Sequence, residues 1–175
     1  MHHSHSNKAL AIIAGLSMAL AVLSLTDRVV QAAAERTFVS MTLTEQLMLH
    51  EGVRLKPYKD SVGKWTIGVG RNLSDVGITM GEAEVLLEAD IKRARGAAAE
   101  YTWFESLNDT RQDVVVDMIF NLGPRGFARF KATHRKIEAG DYAGAARNML
   151  RSKWATQVGT RATRLARWME EGVKG

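Results

Sequence analysis

No cysteine occurs among the 175 residues, which excludes a disulfide framework, a thiolate metal site and any thiol-based switch. No charge falls between Lys8 and Asp27, and no internal repeat is visible. Compositional bias is lacking too: 46% hydrophobic and 25% charged residues are ordinary globular values and exclude disorder for most of the length. The length suits one domain with a little to spare, since domains cluster around roughly 100–150 residues.

What the uncharged stretch contains is a continuous apolar run, "ALAIIAGLSMALAVLSLT", residues 9–26. A soluble core helix interrupts such a run with polar positions, whereas a spanning helix needs about 20 residues, with a range of about 17–25. The segment therefore reads as an export or membrane-insertion signal, with Lys8 and the amino terminus on the cytoplasmic side. A cleaved signal peptide is the competing version, and "QAAAE" offers Ala32, Ala33 and Ala34 as a small-residue site. Asp27 and Arg28 stand between the run and that site, which favours an uncleaved anchor. Its many Ala, Gly and Ser residues make the span weakly hydrophobic, a helix that leaves a bilayer slowly. His2, His3 and His5 read as an incidental His-rich start rather than a metal site. The expected organisation is a signal-anchor over residues 1–28, a linker over 29–41 and a folded domain over 42–175.

Charge is uneven. Residues 43–110 carry 8 basic and 11 acidic side chains, residues 111–175 carry 13 and 6. A basic second half suits an anionic polymer such as nucleic acid or a cell-wall glycan. A solvated basic face without a partner carries equal weight at this point.

Within the domain, "TLTEQLMLHEG" predicts a helix with a capping box, Thr42 as N-cap and Glu45 three residues on, stopped by Gly52. Leu43, Leu47 and Met48 form its expected apolar stripe. "LKPYKD" and "KWTIGVG" around "SVG" predict a β-hairpin. Everything after it predicts helices: one capped by Thr79 with Val85, Leu86, Leu87 and Ile91 as its apolar face, one running from a cap at Asp109 to a stop at Gly123-Pro124, and three shorter ones separated by Gly140 and Gly159. The expected fold class is α+β, with a small helix-plus-hairpin lobe, a larger all-helical lobe and a substrate cleft between them.

The chemistry-bearing stretch is "EGVRLKPYKDSVGKWTIGVGRN", residues 51–72. Cleavage of a glycosidic bond needs one carboxylic acid that donates a proton and one carboxylate working from the other face of the sugar. Glu51 at a helix C-terminus faces the negative end of the macrodipole, which disfavours its anion and suits a general acid. Asp60, on a hairpin beside Lys59, Ser61 and Lys64, suits the ionised partner. With a period of two, Trp65, Ile67 and Val69 share one face of the strand while Thr66, Gly68 and Gly70 share the other. That second face is nearly bare, so a sugar ring can approach the backbone and the Thr66 hydroxyl can hold a water. For an isolated Glu and Asp at this spacing, two ordinary surface carboxylates and a glycine bulge are the more frequent explanation.

The whole string is more specific than any pair in it. Glu-Gly, then Leu-Lys-x-Tyr-x-Asp, then Gly-x-x-Thr-Ile-Gly-x-Gly closely resembles the start of the phage-type lysozymes, glycoside hydrolase family 24. "MIFNLG" resembles that family's central buried helix, and "SKWATQVGTRATR" its C-terminal Trp, Gln and Arg segment. The resemblance covers roughly residues 42–172. It implies Glu51 as general acid, Asp60 as second catalytic carboxylate and Thr66 as the residue that positions the attacking water. It further implies substrate contacts at Gly68, Gly70, Asn121, Gln157 and Arg161, with Arg161 paired to the catalytic glutamate, and inversion at the anomeric carbon. Such a pair opposes the effect of the helix terminus on Glu51, and the net effect is open at this level. No metal or cofactor is implied. His50, Arg71 and Asn121 depart from the residues common in the family, which bears on substrate preference and pH optimum more than on the reaction.

An Ala/Gly/Ser-rich apolar start on such a domain resembles the signal-arrest-release endolysins, which are exported, held inactive at the membrane and then released. The implied function is hydrolysis of the bond between N-acetylmuramic acid and N-acetylglucosamine in peptidoglycan, leading to host lysis. The implied partners are peptidoglycan, the inner membrane and the host export machinery, with no nucleic acid, for a chain acting as a monomer. The implied location is the host inner membrane, then the periplasm. Without cysteine, control of the tethered form is steric or topological. A lytic transglycosylase on the same polymer is the alternative enzyme, disfavoured by Asp60 and Thr66 because it needs no positioned water. A non-catalytic membrane-anchored wall-binding module and a DNA-binding domain are the alternatives without catalysis. Trp103, Trp154 and Trp168 read as core rather than sugar platforms, and His134 as a helix-surface residue.

Overall fold

The computed structural model describes Asp27, Arg28, Val30 and Gln31, all helical and exposed, and residues 41–175. The apolar run at residues 9–26 and the proposed cleavage site lie outside the described residues. Among the described residues no helix is long and apolar enough to cross a membrane. The chain divides into two compact units, residues 1–77 and residues 78–175.

The first unit opens with helix α1, Leu43–Glu51. Its capping box forms as the sequence predicts: Thr42 Oγ1 accepts from the Glu45 N–H at 3.2 Å, and the Glu45 carboxylate accepts from the Thr42 N–H at 2.7 Å. Gly52, at φ 71°, ends the helix by donating its N–H to the Met48 carbonyl. A correction concerns the apolar stripe, because Leu43, Leu47 and Met48 are exposed and α1 buries no residue. Periodicity identifies an apolar face but does not supply what covers it.

Strands β1 (Arg54–Lys59), β2 (Trp65–Gly68) and β3 (Arg71–Asn72) form an antiparallel sheet in the order β1-β2-β3. The hairpin is the predicted one, with Tyr58 opposite Thr66 and Lys59 opposite Trp65. The third strand is a finding beyond the prediction, since two residues are too few to show a period. The alternation also ends sooner than expected. Gly68 (φ 67°) and Gly70 (φ 82°) both take left-handed backbone, so β2 stops at Gly68 and Val69-Gly70 turn the chain into β3. Among the described residues of this unit, Thr66 alone is buried.

The second unit is helical: α2 (Met80–Ala98), a single 3-10 turn (Phe104–Ser106), α3 (Asp109–Phe127), α4 (Lys131–Glu138), α5 (Tyr142–Leu150), α6 (Lys153–Val158) and α7 (Thr160–Glu171). The α+β class therefore holds, with the sheet confined to the first unit. Helix α2 is capped by Thr79 as predicted, with Glu82 completing a capping box that the prediction did not include, yet Val85, Leu86, Leu87 and Ile91 are exposed and its buried residues are Ala94 and Ala98. Asn108, one residue before the expected Asp109, caps α3 by accepting from the Arg111 N–H. At Gly123 (φ 70°) the helix breaks, then resumes with Pro124, whose missing N–H costs nothing in a first turn. Where one helix was expected between Gly140 and Gly159 there are two, because the first ends at Leu150 with Arg151 as its C-cap and Ser152 caps the second, accepting from the Ala155 N–H.

Val114, Val115, Val116, Met118 and Ile119 of α3 form the axis of the core, against Phe104, Phe127, Met149, Trp154, Leu165 and Met169. Trp103 and Trp154 are core residues as expected. His134 is not the surface residue expected. It sits beside the rings of Phe127 (4.6 Å between centroids), Tyr101 (4.8 Å) and Trp103 (5.7 Å), and its buried Nε2 finds no partner among the described residues. Burial pushes the imidazole below its ordinary value, while a hydrogen bond with the Phe127 backbone acts the other way.

Candidate functional site

Glu51 is the last residue of α1, exposed, directly before the Gly52 cap. Its place follows from local sequence, since the capping box sets the start of the helix and the positive φ of Gly52 sets its end.

Asp60 is fixed by the hairpin turn it builds. Its Oδ1 accepts from the Val62 N–H at 3.0 Å and from the Lys64 N–H at 2.8 Å. The Asp60 backbone closes the same turn, donating to the Lys64 carbonyl at 3.0 Å and accepting from the Gly63 N–H at 3.1 Å. One carboxylate oxygen, Oδ1, is thereby held by two main-chain donors, and Oδ2 is not used in closing the turn. Lys64 does not pair with Asp60; its ammonium lies 2.9 Å from Asp75.

Thr66 follows on the central strand, cross-strand from Tyr58 and Asn72. It is 4% exposed and its hydroxyl lies 3.3 Å from the Lys64 carbonyl, to which it donates. The hydroxyl thus donates to the backbone of its own strand, and its oxygen keeps acceptor capacity. At Gly68 and Gly70 an added Cβ would meet nothing within 4 Å. Backbone conformation, and not lack of room, demands glycine there, and the open space is compatible with close approach of a ligand.

The remaining predicted residues lie in the helical unit. Asn121 and Gln157 are joined through Trp154: the buried indole donates its Nε1–H to Asn121 Oδ1 at 2.8 Å, and Trp154 and Gln157 line one concavity of about 450 Å³. Its walls also include Arg129, Asn148 and Ser152, none of which sequence reasoning singled out for this role. Arg161 lies apart from them, in a concavity of about 400 Å³ with Arg95, Asp113, Asp117 and Phe120. Its guanidinium is paired within the unit to Asp117, at 2.8 and 2.9 Å. Asp117 is 44 positions away in the chain, so no local pattern could reveal the pair.

The model of the phage lysozyme family matches residues 48–170, a span that includes every residue named above. Among curated proteins, the chain is 26% identical over 162 residues to "Probable T4-type lysozyme 1" of Dictyostelium discoideum, covering 75% of this chain and 95% of that protein. It is 34% identical over 111 residues to "Endolysin" of Acyrthosiphon pisum secondary endosymbiont phage 1, covering 61% and 72%. It is 29% identical over 141 residues to "SAR-endolysin" of Escherichia phage Mu, covering 75% and 81%. A glycoside hydrolase of the muramidase class is therefore what the fold and the matches define. The chain belongs to the phage lysozyme family.

Proposed function

We propose that this enzyme is an endolysin that hydrolyses the β-1,4 bond between N-acetylmuramic acid and N-acetylglucosamine in peptidoglycan. In this reading Glu51 protonates the leaving oxygen. Asp60 Oδ2 works from the opposite side of the sugar ring, and Thr66 holds the water that attacks the anomeric carbon. Gly68 and Gly70 leave the backbone open to the glycan, and the substrate role read for Asn121, Gln157 and Arg161 rests on the family resemblance.

The observation that carries the reading is the Asp60 turn. Two main-chain N–H groups at 3.0 and 2.8 Å fix the carboxylate, so it meets the reaction already oriented. Buried Thr66 lies two rungs further along the same hairpin, opposite Tyr58. A transglycosylase has no use for an oriented second carboxylate and a water-holding hydroxyl.

We further propose that the uncharged residues 9–26 carry the chain through the host export machinery and hold it in the inner membrane, N-terminus cytoplasmic, until release to the periplasm as a monomer. Support comes from the sequence of that run and from the similarity to proteins named SAR-endolysin. Mass analysis of fragments released from purified walls tests the chemistry. Reducing N-acetylmuramic acid ends that take up oxygen from labelled water are expected; intramolecular anhydro ends would replace hydrolysis by transglycosylation. Fractionation of expressing cells tests the tether, with full-length protein expected first in inner-membrane and later in periplasmic fractions. A chain found only in the cytosol would refute it.

A further inference from the structure

One face of the hairpin carries a feature that hydrolysis does not use. Lys59, Trp65 and Leu73 make a cross-strand row: Lys59 lies opposite Trp65, and the Leu73 N–H donates to the Trp65 carbonyl at 2.7 Å. With Pro57 and Ser74, Trp65 and Leu73 line an apolar shelf of about 430 Å³. Trp65 is 48% exposed there, and Leu55 and Val62 of the same hairpin are 85% and 76% exposed. Large apolar side chains this open on a small sheet mark a contact surface. Two cations of the hairpin lie on rings: Lys59 Nζ is 4.4 Å from the Trp65 ring centroid, and the Arg54 guanidinium is 4.3 Å from that of Tyr58.

We propose that this face rests on the bilayer surface, with Trp65 at the headgroup level of an anionic phospholipid membrane. The inference builds on the tethered state proposed above. Fourteen residues separate the apolar run from Met41, a reach of at most roughly 50 Å, so tethering keeps the hairpin within range of lipid. An indole flanked by lysine and by aliphatic side chains is the pattern of an interfacial anchor, ring among the headgroups and ammonium on the phosphates. A sugar is the poorer occupant. Lys59 already covers one face of the indole, where a sugar ring would stack. Ser74 Oγ, the shelf's hydroxyl, is engaged in accepting from the Trp65 N–H at 2.9 Å. Contact through this face holds the sheet that carries Asp60 and Thr66 against lipid, a steric route to restraint that needs no thiol.

The test uses the full chain reconstituted into vesicles of phosphatidylglycerol and phosphatidylethanolamine with brominated acyl chains, beside a Trp65→Phe variant. Flotation reports the tether, and tryptophan emission reports the face. The expected result is flotation of both proteins, with a quenched, blue-shifted component in the wild type that is lost in Trp65→Phe and reduced in Lys59→Glu. Bromines near the glycerol end should quench more than bromines near the chain terminus. Flotation with equal quenching in wild type and Trp65→Phe would overturn the inference and leave the tether standing. Failure to float would remove both. Quenching or a spectral shift of Trp65 by N-acetylglucosamine oligomers, without one by lipid, would make the shelf a glycan platform and overturn the lipid assignment.

Discussion

Asp60 holds two tasks that can be separated by substitution. Its Oδ1 anchors the hairpin through the Val62 and Lys64 amides, while the proposed chemistry uses the charge and Oδ2. Asn keeps an acceptor oxygen in the Oδ1 position but has no charge to offer. Ala keeps neither. Each amide-to-side-chain bond contributes about 1 kcal/mol net, so Asp60→Ala should weaken the closed turn by about 2 kcal/mol, roughly a 30-fold rise in opening. Amide hydrogen exchange at Val62 and Lys64 reads that directly, and Asp60→Asn should stay within a few-fold of wild type. Wall-clearing rates should separate the other way: both variants fall by about 100-fold or more, the usual loss for a positioned acid or base. Asn clearing walls at the wild-type rate, or Ala leaving the two amides as protected as before, would refute the division of labour.

Four further outcomes follow from the packing. Gly172 (φ 74°) closes α7, and an added Cβ would lie 2.8 Å from the Arg111 guanidinium, which donates to the Met169 and Glu170 carbonyls at 2.8 and 2.9 Å; Gly172→Ala should cost about 2–3 kcal/mol in urea unfolding, falling to about 1 kcal/mol on an Arg111→Met background, where only the backbone strain remains. Asn121→Ala strands the Trp154 indole N–H in the core and should cost about 1–2 kcal/mol by the same measurement. The Arg161–Asp117 pair is about one-third exposed, so Arg161→Ala should change stability by less than about 1 kcal/mol while raising KM for walls if Arg161 contacts the glycan. For His134 the folded value lies below the ordinary 6.5, so between the two the unfolded chain binds more protons and stability falls as pH drops; urea midpoints of His134→Leu should fall less steeply across that interval than those of the wild type, and an equal slope in variant and wild type would disprove the assignment.

Features specified over three or four residues were legible in the sequence. The Thr42 capping box, the Thr79 cap, the hairpin around Gly63 and the break at Gly123-Pro124 rest on local chemistry, and each formed where predicted. The α3 cap shifted by one because Asn108 and Asp109 are both good N-caps and only tertiary placement chooses between them. Ser152 was hidden inside an apolar period that runs through it. What sequence cannot supply is the partner of a side chain distant along the chain. His134 meets Tyr101 and Trp103 from another segment, and Arg161 meets Asp117 across 44 positions. The apolar faces of α1 and α2 were recognised as apolar, but exposure of Leu47 and Leu86 depends on what lies against them. Of the site, the residue types and spacing of Glu51, Asp60 and Thr66 were readable. The anchoring of Asp60 by Val62 and Lys64 was not, because it depends on the turn's three-dimensional closure.

The central claim is that Glu51 supplies the proton for glycosidic cleavage. Turbidity loss of permeabilised Gram-negative walls, followed for the wild type and for Glu51→Gln with circular dichroism spectra matched, tests it most directly. Clearing by Glu51→Gln is expected to fall by about 100-fold or more with the fold unchanged. Clearing that survives the substitution at a comparable rate would contradict it and move the acid to another residue.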